Sequence, residues 1–150
     1  VQSNEKVLNE GVLKAVVGEL NGKGGKVIVG VLEAERFRAP EAQPRLKALP
    51  RAGDYAVCGV NEEYGKEGWD HYQRRLQDAI NTKTVPSPQI WVSIKRDEYQ
   101  GRDVCVISVR PPIADWFYLK ADGSFFVRHG NETRSLSGPE ADNYRRNNAR

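Results

Sequence analysis

The chain has 150 residues, a length for one domain, and its 39% hydrophobic residues suffice for one core. Twenty-three Lys and Arg against 20 Asp and Glu give a net charge of +3, a mild excess that neither demands nor excludes nucleic-acid affinity. No apolar run reaches the ~18 residues of a membrane-spanning helix, and two cysteines, Cys58 and Cys105, exclude a disulfide-rich scaffold and a Cys-based zinc ribbon.

In chain order, Leu8, Val12, Leu13, Val16, Val17 and Leu20 recur at spacings of three and four, which predicts a helix over 8–20 with Asn4 as its cap. Asn21-Gly22 suits a left-handed helix end, and Lys23-Gly24-Gly25-Lys26 reads as a tight loop. Val27 to Val31 is a continuous apolar run, the pattern of a central strand buried on both faces. From 33 to 54, Pro40, Pro44, Pro50 and Gly53 interrupt any period, so a surface insertion is expected there. Arg36, Arg38, Arg45, Lys47 and Arg51 make it basic. Tyr55 to Val60 resumes a strand. Trp69, Tyr72, Leu76 and Ile80 form the apolar face of a second helix over 68–80, with Arg74 and Arg75 outward. Strands at 90–95 and 104–109 flank Tyr99-Gln100-Gly101 as a hairpin. A second hairpin is expected to pair Phe117-Tyr118-Leu119 with Phe125-Phe126-Val127 across Ala121-Asp122-Gly123. A last helix opens at Pro139 and turns basic at Arg145-Arg146. This order fits an α+β domain, a mixed β-sheet with flanking helices, as a single domain over 1–150.

Gly22-Lys23-Gly24-Gly25-Lys26 invites a phosphate-loop reading, since glycine backbone and lysine can cradle phosphate. The nucleotide-binding loop, however, follows a strand, opens a helix and places Ser or Thr after its Lys. Here the order is helix, loop, strand, and a helix C-terminus disfavours anions. A tight structural turn is the plainer reading. Arg128-His129-Gly130-Asn131-Glu132-Thr133-Arg134 follows an aromatic strand and could hold phosphate or a base edge. It could equally be a solvated turn in which Arg128 pairs with an acid such as Glu132. His71 and His129 stand far apart with no partner at ligand spacing, so no metal site is read from them. Trp69, Trp91, Trp116, Tyr118, Phe125 and Phe126 read as core more readily than as a base-stacking platform, with Trp116 the least explained.

Leu13-Lys-Ala-Val-Val-Gly-Glu-Leu-Asn-Gly-Lys-Gly-Gly-Lys-Val-Ile-Val-Gly-Val31 resembles the opening motif of the Schlafen AlbA-like domain: a helix ending in Asn, two glycines, then an apolar strand ending in Ile-Gly-Val. Phe125-Phe-Val-Arg-His-Gly-Asn-Glu-Thr-Arg-Ser-Leu-Ser137 resembles its closing motif, and Gly101-Arg-Asp-Val-Cys-Val-Ile-Ser-Val-Arg-Pro111 keeps the order between them. The resemblance covers about 8–31 and 55–145. It implies an α+β nucleic-acid-binding module, found in bacterial proteins described as regulators or as ATP-binding. In animal Schlafens it implies RNA cleavage by clustered acids with a divalent metal. The family's aspartate after the Gly-Val strand is replaced by Leu32 and then Glu33, and a slip of one residue turns a side chain to the other face. The upstream glutamates would fall at or before Val1. Glu33 is therefore the one catalytic candidate, with Mg or Mn as cofactor only for a nuclease and none needed for binding.

The expected function is nucleic-acid binding, to RNA or DNA, by phosphate-backbone contact in a regulatory or defence protein. Lys23, Lys26, Arg128, His129, Asn131 and Arg134 are the expected contacts. This fragment is expected to bind rather than to cleave. The alternatives are a metal-dependent endoribonuclease of Schlafen type and a protein-interaction or oligomerisation module, with a homodimer as partner. The lack of any Met makes Val1 a fragment boundary in this reading, and the lack of a signal-peptide pattern points to the cytoplasm.

Overall fold

The computed structural model describes residues 2–33, 49–64, 66–112 and 114–149, with side chains described from residue 10 and not at Glu33. Along the chain it has α1 (Gln2–Leu20), β1 (Gly25–Val29), β2 (Val31–Glu33), β3 (Arg51–Ala52) and β4 (Tyr55–Val57). A 3-10 turn (Asn61–Glu63), α2 (Gly68–Lys83), β5 (Thr84–Val85), β6 (Val92–Tyr99) and β7 (Arg102–Val109) follow. The chain closes with β8 (Tyr118–Leu119), β9 (Phe125–His129), β10 (Glu132–Leu136) and α3 (Gly138–Asn147). The α+β class is as expected; the described strands distribute over four small sheets, ordered β1-β7-β6, β10-β9, β2-β4-β3 and β5-β8.

The backbone forms two compact units, one of residues 1–27, 74–93 and 107–150, the other of 28–73 and 94–106. In the first, the predicted stripe of α1 is buried: Val16, Val17 and Leu20 are fully inaccessible, and the helix packs on β8, β9 and β10. Phe117, Phe125, Phe126 and Val127 supply the other side of that core. Burying a side chain of this size stabilises by about 1.5–3 kcal/mol, which is what holds a helix whose intrinsic tendency is modest. In the second unit Ala56, Val57, Val60, Tyr72, Ile94, Val104 and Cys105 are buried.

Several expectations are corrected. Asn4 lies inside α1 rather than capping it, because no Gly or Pro interrupts the polar turns before Leu8. The run from Val27 to Val31 is not one central strand. Gly30, at φ +106, divides it, and its carbonyl accepts the amides of Cys58 and Gly59. β1 then lies at the edge of its sheet, with Ile28 49% exposed. Ile90 and Trp91 fall in a turn, with Ile90 74% exposed, so the β6–β7 hairpin starts later than expected but turns where predicted, at Gln100 (φ 49) and Gly101 (φ 80).

The second hairpin is also re-paired. The turn at Asp122-Gly123 forms, with the Leu119 amide donating to the Ser124 carbonyl, but β8 ladders with β5 instead. β9 pairs antiparallel with β10, Arg128 opposite Thr133 and Arg134 opposite Val127, so the closing motif is itself a hairpin turning at Gly130-Asn131. The ends of the stretch from 33 to 54 are strand: Glu33 pairs with Tyr55 and Arg51 with Ala56. Arg36, Arg38, Arg45 and Lys47 lie outside the described residues.

Candidate functional site

The end of α1, the glycine loop and β9 converge in the first unit. α1 does not finish in a left-handed Asn21. The Asn21 amide still donates to the Val17 carbonyl, and the positive φ falls at Gly24 (+77). A Cβ there would sit 2.4 Å from Pro111 Cδ and 2.6 Å from the Val109 carbonyl oxygen. Glycine is thus required both by conformation and by space. Six residues earlier, a Cβ on Gly18 would lie 3.2 Å from Thr133 Cγ2 and 3.5 Å from the Arg128 amide, so the missing side chain lets the β9–β10 hairpin lie against the helix.

Asn21 is buried, and its side chain joins the motifs. Its Nδ2 donates to the carbonyls of Phe117 (2.8 Å) and Phe126 (2.9 Å), and its Oδ1 accepts the Phe117 amide at 2.8 Å. Its backbone carbonyl accepts the Tyr144 hydroxyl at 2.9 Å, which ties α3 to the same point. In sequence the Asn21-Gly22 pair reads as a turn. An amide directly after an apolar helical stripe was the available signal, but nothing local named its partners.

Arg128 does not pair with Glu132. Its Nε faces Glu19 Oε1 at 3.5 Å, and its Nη1 donates to Thr133 Oγ1 at 3.1 Å. The Glu19 side chain is 11% exposed and that of Arg128 32%. Burial pushes the Glu19 carboxyl above its ordinary value, and Arg128 pulls it partly back. Glu19 carried a sequence signal, an acid in the last turn of an apolar helix, that the motif reading did not use.

These elements wall an open groove of about 850 Å³. Lys23, Arg128 and His129 supply cations and donors, Glu19 an acid, and Trp116 and Tyr144 aromatic rings. The two rings meet edge-on at 5.8 Å, and Trp116 also meets Phe125 edge-on at 5.9 Å. This accounts for Trp116, the ring that composition left unexplained. Of the six expected contacts, the groove collects Lys23, Arg128 and His129. Lys26 is exposed on β1, and Asn131 is exposed in the hairpin turn. Arg134 is exposed on β10, and the register puts it on the opposite face from Arg128, because neighbouring residues of a strand alternate.

Glu33 ends β2, in the second unit. Among the described residues no group of three His, Cys, Asp or Glu side chains is placed to share a metal ion. Cys105 is fully buried and its thiol is pushed up to about 12 by desolvation; burial raises Cys58 as well. No helix among the described residues is long and apolar enough to cross a membrane.

The opening and closing motifs therefore meet at one place, through Asn21 to Phe126 and Glu19 to Arg128. The family model described as Schlafen, AlbA_2 matches residues 2–137. The chain belongs to the Schlafen AlbA_2 family. No curated protein matches it. Among solved structures, this Schlafen AlbA_2 domain is similar to the DIP2311 protein from Corynebacterium diphtheriae, with a TM-score of 0.55 and 17% identity. The match covers 92% of this chain and 19% of that one. At that identity the likeness concerns the fold alone, and the domain spans under a fifth of the other protein's length.

Proposed function

We propose that this Schlafen AlbA_2 domain binds nucleic acid, RNA or DNA, within a regulatory or defence protein, with the groove at the end of α1 as its principal contact. The observation that carries the reading is the convergence of Lys23, Arg128 and His129 beside Trp116 and Tyr144. Cations that track phosphate, next to rings that can meet a base, are the ingredients of a sequence-tolerant single-strand site. Arg128 has five N–H donors, and Glu19 and Thr133 engage two, so an edge of the guanidinium remains for a phosphate. Lys26, Asn131 and Arg134 are proposed as outer contacts for a strand long enough to run past the groove and over the hairpin.

The test is fluorescence anisotropy with labelled oligouridylate and oligothymidylate at low and high salt, with and without manganese. Lys23 is exposed, so Lys23→Ala is expected to leave the melting temperature unchanged and to weaken binding about three- to fivefold at low salt. Arg134→Ala is expected to weaken binding of a long strand and leave a short one unaffected. No salt-sensitive binding by folded protein would overturn the reading in favour of a protein-interaction module. Manganese-dependent cleavage abolished by Glu33→Ala would replace it with the endoribonuclease.

A further inference from the structure

The groove holds an acid where a phosphate site would hold only cations. Glu19 is 9% exposed, and its carboxylate lies 3.5 Å from Arg128 Nε. Arg128 is in turn held by Thr133. We infer that Glu19 sets the charge of this groove: it orients Arg128 and, while ionised, holds down affinity for a phosphate, so that protonating or neutralising it tightens binding. The inference rests on the nucleic-acid reading above.

The argument is electrostatic. A phosphate on the outer edge of Arg128 meets the guanidinium and, one side chain further on, the carboxylate. In a partly buried site the two charges are poorly screened from it, so the carboxylate cancels much of what the arginine offers. An amide at the same place keeps an oxygen for the Arg128 Nε–H and removes the charge. Orientation and repulsion are therefore separable. Burial, which already raises the Glu19 carboxyl, favours its neutral form. An arriving phosphate raises it further, so binding takes up a proton.

Among the described residues, the other charged or titratable groups lining the groove are Lys23, Arg128, His129 and Tyr144. His129 can mimic the effect, since a protonated imidazole also attracts phosphate. The experiment therefore runs in a His129→Asn background. Affinity for labelled oligouridylate is measured at low salt from about pH 4 to pH 8, a range that begins near the ordinary carboxyl value and passes the ordinary imidazole value.

Three results are expected. The His129→Asn protein binds more tightly as pH falls. Adding Glu19→Gln tightens binding at neutral pH about three- to tenfold and flattens the acid part of the profile. Glu19→Ala, which removes the oxygen as well, binds more weakly than Glu19→Gln. Equal or weaker binding by a folded Glu19→Gln protein, or a flat profile with Glu19 present, would overturn the inference and leave the nucleic-acid reading standing. Absence of salt-sensitive binding by the unsubstituted protein would overturn both.

Discussion

Asn21 makes three side-chain hydrogen bonds to backbone groups, each about 100 residues away in sequence, from a fully buried position. Asn21→Ala would leave two carbonyls and one amide without partners in an apolar core. A loss of about 3–5 kcal/mol is expected, read as a lower urea midpoint. Glu19 makes a second prediction at this scale. Its carboxyl is raised in the folded chain relative to 4.5, so the fold prefers the neutral form. That contribution is complete below 4.5 and is lost as pH rises through the elevated folded value. Glu19→Gln should thus raise the urea midpoint at neutral pH and leave it unchanged in acid. The reverse order would mean that the ion pair with Arg128 outweighs desolvation. Arg128→Ala removes the partner of a nearly buried acid and is expected to cost about 1–2 kcal/mol at neutral pH.

At the scale of elements, the glycine loop is the most constrained turn in the first unit. Gly24→Ala would place a carbon 2.4 Å from a proline ring and 2.6 Å from a carbonyl oxygen, at a positive φ. A loss of about 2–4 kcal/mol is expected by thermal melting, with Lys23→Ala at the preceding, exposed residue as the neutral control. What the sequence made legible here was local. The stripe of α1, the face of α2 and the turn at Gln100-Gly101 each carry their own period or dihedral demand, and each was readable. Partner choice was not. β8 is two residues long, and its pairing of Leu119 with Thr84 leaves no trace in the period of either segment. β9 was recognisable as a strand, yet its partner β10, Glu-Thr-Arg-Ser-Leu, is mostly polar and exposed and so reads as a loop.

For the whole molecule, the net charge of +3 is small, and among the described residues the groove brings Lys23 and Arg128 together, with His129 beside them. With a slope near −0.7 per neutralised phosphate on a single strand, affinity should fall on the order of tenfold between 50 and 200 mM salt. A much steeper slope would show that Lys26, Arg134 or the basic residues from 36 to 47 share in binding. Arg128 and His129 share the groove as neighbours in sequence, whereas Lys23 reaches it by tertiary packing from more than a hundred residues away. Trp116 and Tyr144 join the groove only through tertiary packing, which no spacing rule reaches.

The ties of Asn21 also set an order of events during synthesis. α1 is made early, but the groups that Asn21 holds, Phe117 and Phe126, are translated about a hundred residues later. Until they leave the ribosome, the apolar stripe of α1 has no native cover on that side, and such late, distant closure slows folding. A nascent chain halted before Phe117 therefore displays the hydrophobic stripe of α1 without the β8, β9 and β10 cover on which it packs. Such a chain is suited to chaperone capture or proteolysis rather than to independent folding.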